Sequence, residues 1–495
     1  MKIMKIIYNR ILSKRNILLY GQFIEHFHRQ IYDGIYCPDS PLSDDKGFRV
    51  DVIEALKKIG TRVVRWPGGC FASAYHWRDG VGSNRLPSFD KAWRVEDPNT
   101  FGTTEFIEWC EKVGCEPFIC SNAGTGTAEE MSDWLEYCNL EFEGRNAKAR
   151  ISHGFVKPFN VKYFSIGNEN YGSWEIGAYD AKEWAKLVTE SAKMLLRVDP
   201  TVELSAAALP DPEWNLELLR HAGKYLKWIS IHQYWDAIHN TNDLASYEVC
   251  MAYTADLTSS IDKTLGILTA TGNTHIKIAF DEWNLRGWYH PNIHSSGPAV
   301  NKEDYLLPRD KNDDNSSYTM ADTVFTACFL NTLHRYAGVV QMANYAPVVN
   351  TRGLIFTHKN GIVKRGTYHV FDLFYNQLGE EILDSWEPES LIMRVNGKDG
   401  VSIEIDMIDA LATKRSDGAV AISLINKNPE SSSLVSISID GYDAKSAVIY
   451  SIVGNGTDDY NDINQPDNIK INSKNLIEWN TVSLAPHSVN VLVLI

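Results

Sequence analysis

From residue 20 to about residue 370, short apolar runs alternate with longer stretches whose apolar residues recur every three or four positions. Eight of the short runs are dense in β-branched and aromatic residues: Gly21–Phe27, Thr61–Pro67, Glu116–Asn122, Val161–Asn168, Val202–Leu209, Trp228–Tyr234, Ile276–Glu282 and Val339–Tyr345. Several are continuously apolar, the pattern of parallel strands covered on both faces. The stretches between them read as amphipathic helices. Asp51–Ile59 sets Val52, Ile53, Leu56 and Ile59 on one face and stops at Gly60. Phe106, Ile107, Cys110 and Val113 repeat the pattern before Gly114. Asp180 and Glu183 form a capping box, Thr127 opens another helix, and Tyr318–Tyr336 is the last long one.

Eight β-then-α units predict an α/β fold, a (β/α)8 TIM barrel, over residues 18–372. A doubly wound open sheet is the alternative. It would carry a glycine-rich phosphate loop after its first strand, whereas Glu25-His26-Phe27-His28 stands there. Beyond about residue 375 the period changes to two. Ser390–Val395, Val401–Met407, Ala419–Leu424, Leu434–Ile439, Ala447–Ile452 and Val489–Ile495 alternate between turn residues. They predict a C-terminal all-β sandwich, jelly-roll-like, over residues 373–495, joined by the N-terminal segment 1–17.

The net charge of −15 gives no basic face for nucleic acid. No run reaches the ~20 apolar residues of a membrane span. Lys5, Arg10, Lys14 and Arg15 break the apolar residues of the N-terminus, so a signal peptide is not expected and a cytoplasmic location is. None of the eight cysteines falls in a CxxC pair, which fits free thiols in a reducing compartment.

In such a barrel the C-terminal ends of the strands face the active site. Carboxylates end the first, fourth and seventh runs: Glu25, Glu169 and the pair Asp281-Glu282. Aromatic residues stand beside them. A single strand-end Glu reads as a solvated loop residue; two across a barrel mouth are the equipment for glycoside hydrolysis. Arg65 reads either as a structural ion pair or as the cation that orients one carboxylate. Asp281 reads as packing beside the site or orienting it, and Cys70 as an unreactive wall. His26 and His28 lack a third ligand at a telling spacing, so no metal is expected. Asn170 has no role beyond holding its turn.

Six segments together resemble the glycoside hydrolase family 51 α-L-arabinofuranosidases: GQFIEHFHRQIYDGIY, RWPGGCFASAYHWRDGVG, FGTTEFIEWC, IGNENYGSWEIG, SIHQYW and FDEWN. The resemblance covers nearly the whole chain. It implies an exo-acting, retaining enzyme without metal or cofactor. By the GNEN motif Glu169 is the general acid/base, and by DEWN Glu282 is the nucleophile. Glu25, Arg65, Cys70 and Asn168 match sugar-pocket positions, and His232 is counted with them. Tyr234 matches a tyrosine that supports the nucleophile, and Trp93 an aromatic platform. The implied partners are arabinofuranosyl oligosaccharides from arabinan or arabinoxylan and further copies of the chain, with a homo-hexamer among the family's forms.

Two departures stand out. Many bacterial relatives have Asn where this chain has Cys70, although Cys is also familiar in the family there, and Pro347 stands where many have a pocket Gln. A proline offers no side-chain donor, so that contact is lost or another group supplies it. A retaining pair predicts a carboxyl separation of roughly 5–5.5 Å. Charge on Glu282 is expected to raise the pKa of Glu169. The polar stretch Leu285–Ser317, with Trp288, Tyr289 and His290, reads as a wall of the leaving-group side or as a surface excursion. Two other readings are a β-xylosidase or endoglucanase on the same barrel and a sugar-binding protein without catalysis.

Overall fold

The computed structural model describes residues 2–238, 243–287 and 313–495. Eight parallel strands close a barrel: Gly21–Phe23, Val63–Trp66, Glu116–Ser121, Tyr163–Ile166, Glu203–Ala207, Trp228–Asp236, Lys277–Arg286 and Val340–Tyr345. Each pairs with the next, and the eighth pairs back to the first through Asn344 and Gly21. All eight predicted runs are strands, with shifted ends. The first is shorter, because the chain leaves the ladder at Ile24 to bring Glu25 over the barrel mouth. The seventh runs on to Arg286, which ion-pairs with Asp236 of the sixth strand at 2.7 Å and with Asp322 at 3.0 Å.

The helices begin and stop where side-chain chemistry directs. Asp180 accepts from the backbone N–H groups of Lys182 and Glu183 to open Ala181–Val198. Gly114, at φ +81°, ends Thr103–Val113. No helix among the described residues is long and apolar enough to cross a membrane. All eight cysteines are free thiols.

The C-terminal part is a nine-stranded sheet. Lys2–Lys14 lies within it, antiparallel to Glu381–Trp386 and parallel to Ser433–Asp440. Val420–Asn426 and Ser488–Leu494 are buried on both faces. Ile422, Leu424, Leu492 and Leu494 point into the sheet's own core, while Ala421, Ile425, Val491 and Val493 join the barrel's core. Alternation along two strands therefore bonds the all-β part to the barrel. The strands Glu381–Trp386, Ile408–Lys414, Ile471–Leu476 and Thr481–Leu484 were not among the sequence expectations. Ile392–Asn396 and Ser402–Asp406 were expected, but they form a separate two-stranded sheet.

Candidate active site

The fourth strand ends in a tight turn that aims two side chains into the barrel mouth. Gly167 has φ +71°, and a Cβ there would run into Asn170 Oδ1 and the Trp184 ring. Asn170 holds the turn: its Oδ1 accepts from Asn168 N, and its amide donates to Gly177 O. Asn168 and Glu169 project from this support.

Across the mouth, Glu282 is fixed by two donors. Arg65 Nη1 reaches Oε2 at 3.0 Å, and Tyr234 Oη donates to Oε1 at 2.6 Å. Arg65 is fully buried and also donates to Asn168 Oδ1 at 2.8 Å, while its Nε stands 3.3 Å from Asp281 Oδ2. It therefore ties the ends of the second, fourth and seventh strands together. A buried guanidinium so surrounded keeps its charge.

Glu169 receives Trp174 Nε1 at Oε2, 2.8 Å away, and faces His232 Nδ1 across 2.9 Å at Oε1. The same His232 Nδ1 lies 3.6 Å from Glu282 Oε2, and its Nε2 lies 3.4 Å from Asp281 Oδ1. A carboxylate oxygen of Glu169, one of Glu282 and a His232 nitrogen lie within 4.8 Å of one another. Burial opposes a charge on His232, but Glu282, Asp281 and Glu169 outweigh it and push its pKa up to about 10.

Two family profiles match this chain: the α-L-arabinofuranosidase 1 domain over residues 55–250 and the α-L-arabinofuranosidase C-terminal domain over residues 281–488. An intracellular exo-α-(1→5)-L-arabinofuranosidase of Acetivibrio thermocellus is 34% identical over 353 residues, 69% of each chain. The α-L-arabinofuranosidase of Thermotoga maritima, solved as an arabinose complex, matches with a TM-score of 0.87 at 33% identity over 100% of both chains. The GH51 α-L-arabinofuranosidase of Thermotoga petrophila matches with a TM-score of 0.87 at 32% identity, again over 100% of both. The chain belongs to the glycoside hydrolase family 51 α-L-arabinofuranosidases.

In this arabinofuranosidase the expectation for Glu169 needs correcting. Burial does act to raise its pKa, but the bonds to His232 and Trp174 and the charge of Arg65 outweigh burial and hold it below the usual carboxylate range. The neighbour that decides is the His232 cation, not the Glu282 anion. His232 thus contacts the carboxylates rather than standing as an open sugar ligand.

Glu25 is the opposite case. Gly69 N, Phe71 N and Trp93 Nε1 all donate to its Oε1 at 3.0–3.1 Å. Burial, then the charge of Glu282, still pushes its pKa from 4.5 up to about 8. Trp93 is buried, with its ring 4.2 Å from that of Phe27, so it braces Glu25. Between pH 4.5 and about 8 the unfolded chain releases this proton and the folded chain keeps it. The stabilisation is complete below 4.5 and is lost as pH rises through about 8. A Gln side chain can keep all three bonds through its own Oε1. Glu25→Gln is therefore expected to lose less melting temperature than the wild type as pH rises across this window, as thermal unfolding at several pH values would show. Glu175 pulls the same way and stays in place.

Burial, then Glu175 and Glu169, push the Cys70 thiol well above the ordinary range, which removes the thiolate a nucleophile needs. Glu175 itself was missed. It accepts from Asn168 Nδ2 at 3.1 Å, and burial pushes its pKa up to about 7. Trp174, 57% exposed, was missed too. Trp174→Phe removes the donor to Glu169, so the basic limb of the rate profile is expected to move to higher pH with little change in melting temperature. Trp288, Tyr289 and His290 lie outside the described residues.

Proposed function

We propose that this arabinofuranosidase removes terminal α-L-arabinofuranosyl groups from oligosaccharides by retaining double displacement, with Glu169 as general acid/base and Glu282 as nucleophile. The observation that carries the reading is the approach of the two carboxylates, one oxygen of each lying within 4.8 Å of the other, an approach close enough for groups that act on one glycosidic bond. Retaining pairs stand roughly 5–5.5 Å apart, and inverting pairs ~6.5–9.5 Å, to admit a water.

Glu169 and His232 hold the first proton between them across 2.9 Å. Passing it from Nδ1 to Oε1 leaves both neutral, and Glu169 then protonates the departing glycosidic oxygen. Glu282, ionised and aimed by Arg65 and Tyr234, attacks the anomeric carbon and forms a glycosyl ester. Its charge is consumed in that bond. Glu169, now ionised, takes a proton from water, and the water releases the sugar. Neutral Glu25 presents its second oxygen to a sugar hydroxyl, and Asn168, held by Arg65 and Glu175, lies beside it.

Arabino-oligosaccharides, arabinan and arabinoxylan fragments are the proposed substrates. The relative from A. thermocellus, named intracellular, supports a cytoplasmic setting in which short imported fragments are cleaved. A homo-oligomer, with a hexamer as one form, is carried from the family resemblance; light scattering in solution decides it. A panel of nitrophenyl glycosides tests the activity. The α-L-arabinofuranoside should be hydrolysed fastest, and a preference for the β-xyloside would replace this reading with the xylosidase one.

A further inference from the structure

The segment after the eighth strand is held in a strained shape that the mechanism above does not explain. Asn350 and Thr351 have φ of 57° and 42°. For a β-branched residue that is an outlier, which persists only where the surroundings over-determine it. They do so here. Arg365, 1% exposed, donates to Thr351 O at 2.5 Å and Gly353 O at 3.0 Å. The Asn350 amide donates to Arg29 O at 2.6 Å and Thr357 Oγ1 at 2.8 Å.

What this scaffold presents is Arg352. It is 5% exposed and forms no ion pair among the described residues. Burial opposes its charge, but Tyr234 and then Glu282 outweigh burial and hold its pKa above the usual guanidinium value. Its Nε donates to Ala346 O at 3.2 Å, beside Pro347, where the sequence offers no side-chain donor. Its Nη2 donates to Tyr234 Oη at 3.2 Å, and its charge sits 5.1 Å from the centre of the Tyr234 ring. Asn284 fastens both the Arg352 and the Ala346 carbonyls, at 3.0 and 2.9 Å.

A guanidinium can only donate. Tyr234 Oη must therefore accept from Arg352, and its single proton is left for Glu282 Oε1, 2.6 Å away. Glu282 also faces Glu25 at the end of the first strand, Arg65 on the second, Cys120 on the third, Glu169 and Tyr171 after the fourth, and His232 on the sixth. Arg352, after the eighth strand, acts on it through the Tyr234 hydroxyl of the sixth, and its charge also faces Glu282 and Glu25.

We propose that Arg352 is a positioning residue for the reaction: it fixes the Tyr234 hydroxyl as a donor to Glu282, and so holds that carboxylate for attack and stabilises it as it leaves. This rests on the reading of Glu282 as nucleophile.

A double-mutant cycle on an aryl arabinofuranoside tests it. Arg352→Met should lower kcat on the order of 10–100-fold, with KM changed only a few-fold. The acid limb of kcat/KM should move to higher pH, because a hydrogen bond that favours the charged form of the nucleophile is lost with its donor. In the Tyr234→Phe background the same substitution should cost less than about threefold. An unmoved limb, or an undiminished loss in that background, would overturn the proposal. Should Arg352→Met not fold, Arg352→Lys, which keeps a charge and a donor, carries the test. Activity well above that of Tyr234→Phe supports the role, and a loss as large as that of Tyr234→Phe overturns it. Covalent trapping separates the two readings. A sugar adduct elsewhere than Glu282 removes the nucleophile assignment, whereas an adduct on Glu282 with an unmoved limb removes only the role of Arg352.

Discussion

Glu282→Ala should lose hydrolysis on the order of 10⁴-fold or more while the protein remains folded. The size follows from what the carboxylate does. On the proposed reading it attacks the anomeric carbon, and two donors hold it for that, Arg65 at 3.0 Å and Tyr234 at 2.6 Å. Folding should survive because Arg65 keeps Asp281 at 3.3 Å and Asn168 at 2.8 Å, so its charge is not stranded. A small anion can enter the space that the side chain leaves. Azide should therefore restore turnover of an activated aryl arabinofuranoside and yield an arabinosyl azide of inverted configuration. The rate with and without azide, together with circular dichroism of the variant, checks this. Hydrolysis near the wild-type rate would show that the nucleophile lies elsewhere.

Glu169→Gln should show a loss that depends on the leaving group. General acid catalysis contributes roughly 10²–10⁴-fold, and it matters most where the departing oxygen is basic. A sugar alcohol needs the proton, and dinitrophenolate leaves without it. Cleavage of arabino-oligosaccharides should thus fall by about that whole range, while departure of dinitrophenol changes little. The amide oxygen can still accept from one of the two donors, Trp174 or His232, and a loss that varies with the leaving group reports the missing proton rather than a collapsed site. Rates across a series of aryl leaving groups measure it. A uniform loss across the series would assign Glu169 to binding instead.

The barrel was legible because parallel strands buried on both sides must be apolar throughout, and eight such runs are hard to read any other way. Their far ends were legible only through pairing: one strand-end carboxylate reads as a solvated loop residue, and two at matching strand ends across a barrel mouth do not. The all-β part was only half legible. Ile471–Leu476 is mostly exposed and polar, and nothing local marks it as a strand until Ala447–Ile452 pairs with it. Lys2–Lys14 gains its place from partners some four hundred residues away.

Within the site, sequence motifs marked the two glutamates but not what governs them. The protonation of Glu169 depends on His232, 63 positions later, and local reasoning weighed Glu282 instead. Trp174 and Glu175 lie on the loop after the fourth strand, where neither period nor cap marks them. Arg352 reads as one more basic loop residue until the fold sets it against Tyr234, 118 positions earlier.

Covalent trapping tests the central claim most directly. The enzyme is mixed with an arabinofuranosyl donor that carries a good leaving group and a fluorine at C2 to slow release of the ester, and its peptides are then sequenced by mass spectrometry. One sugar adduct, on Glu282 within Phe280–Asn284, is the result the account predicts. An adduct on another residue, or turnover with inverted configuration and no adduct, would contradict it.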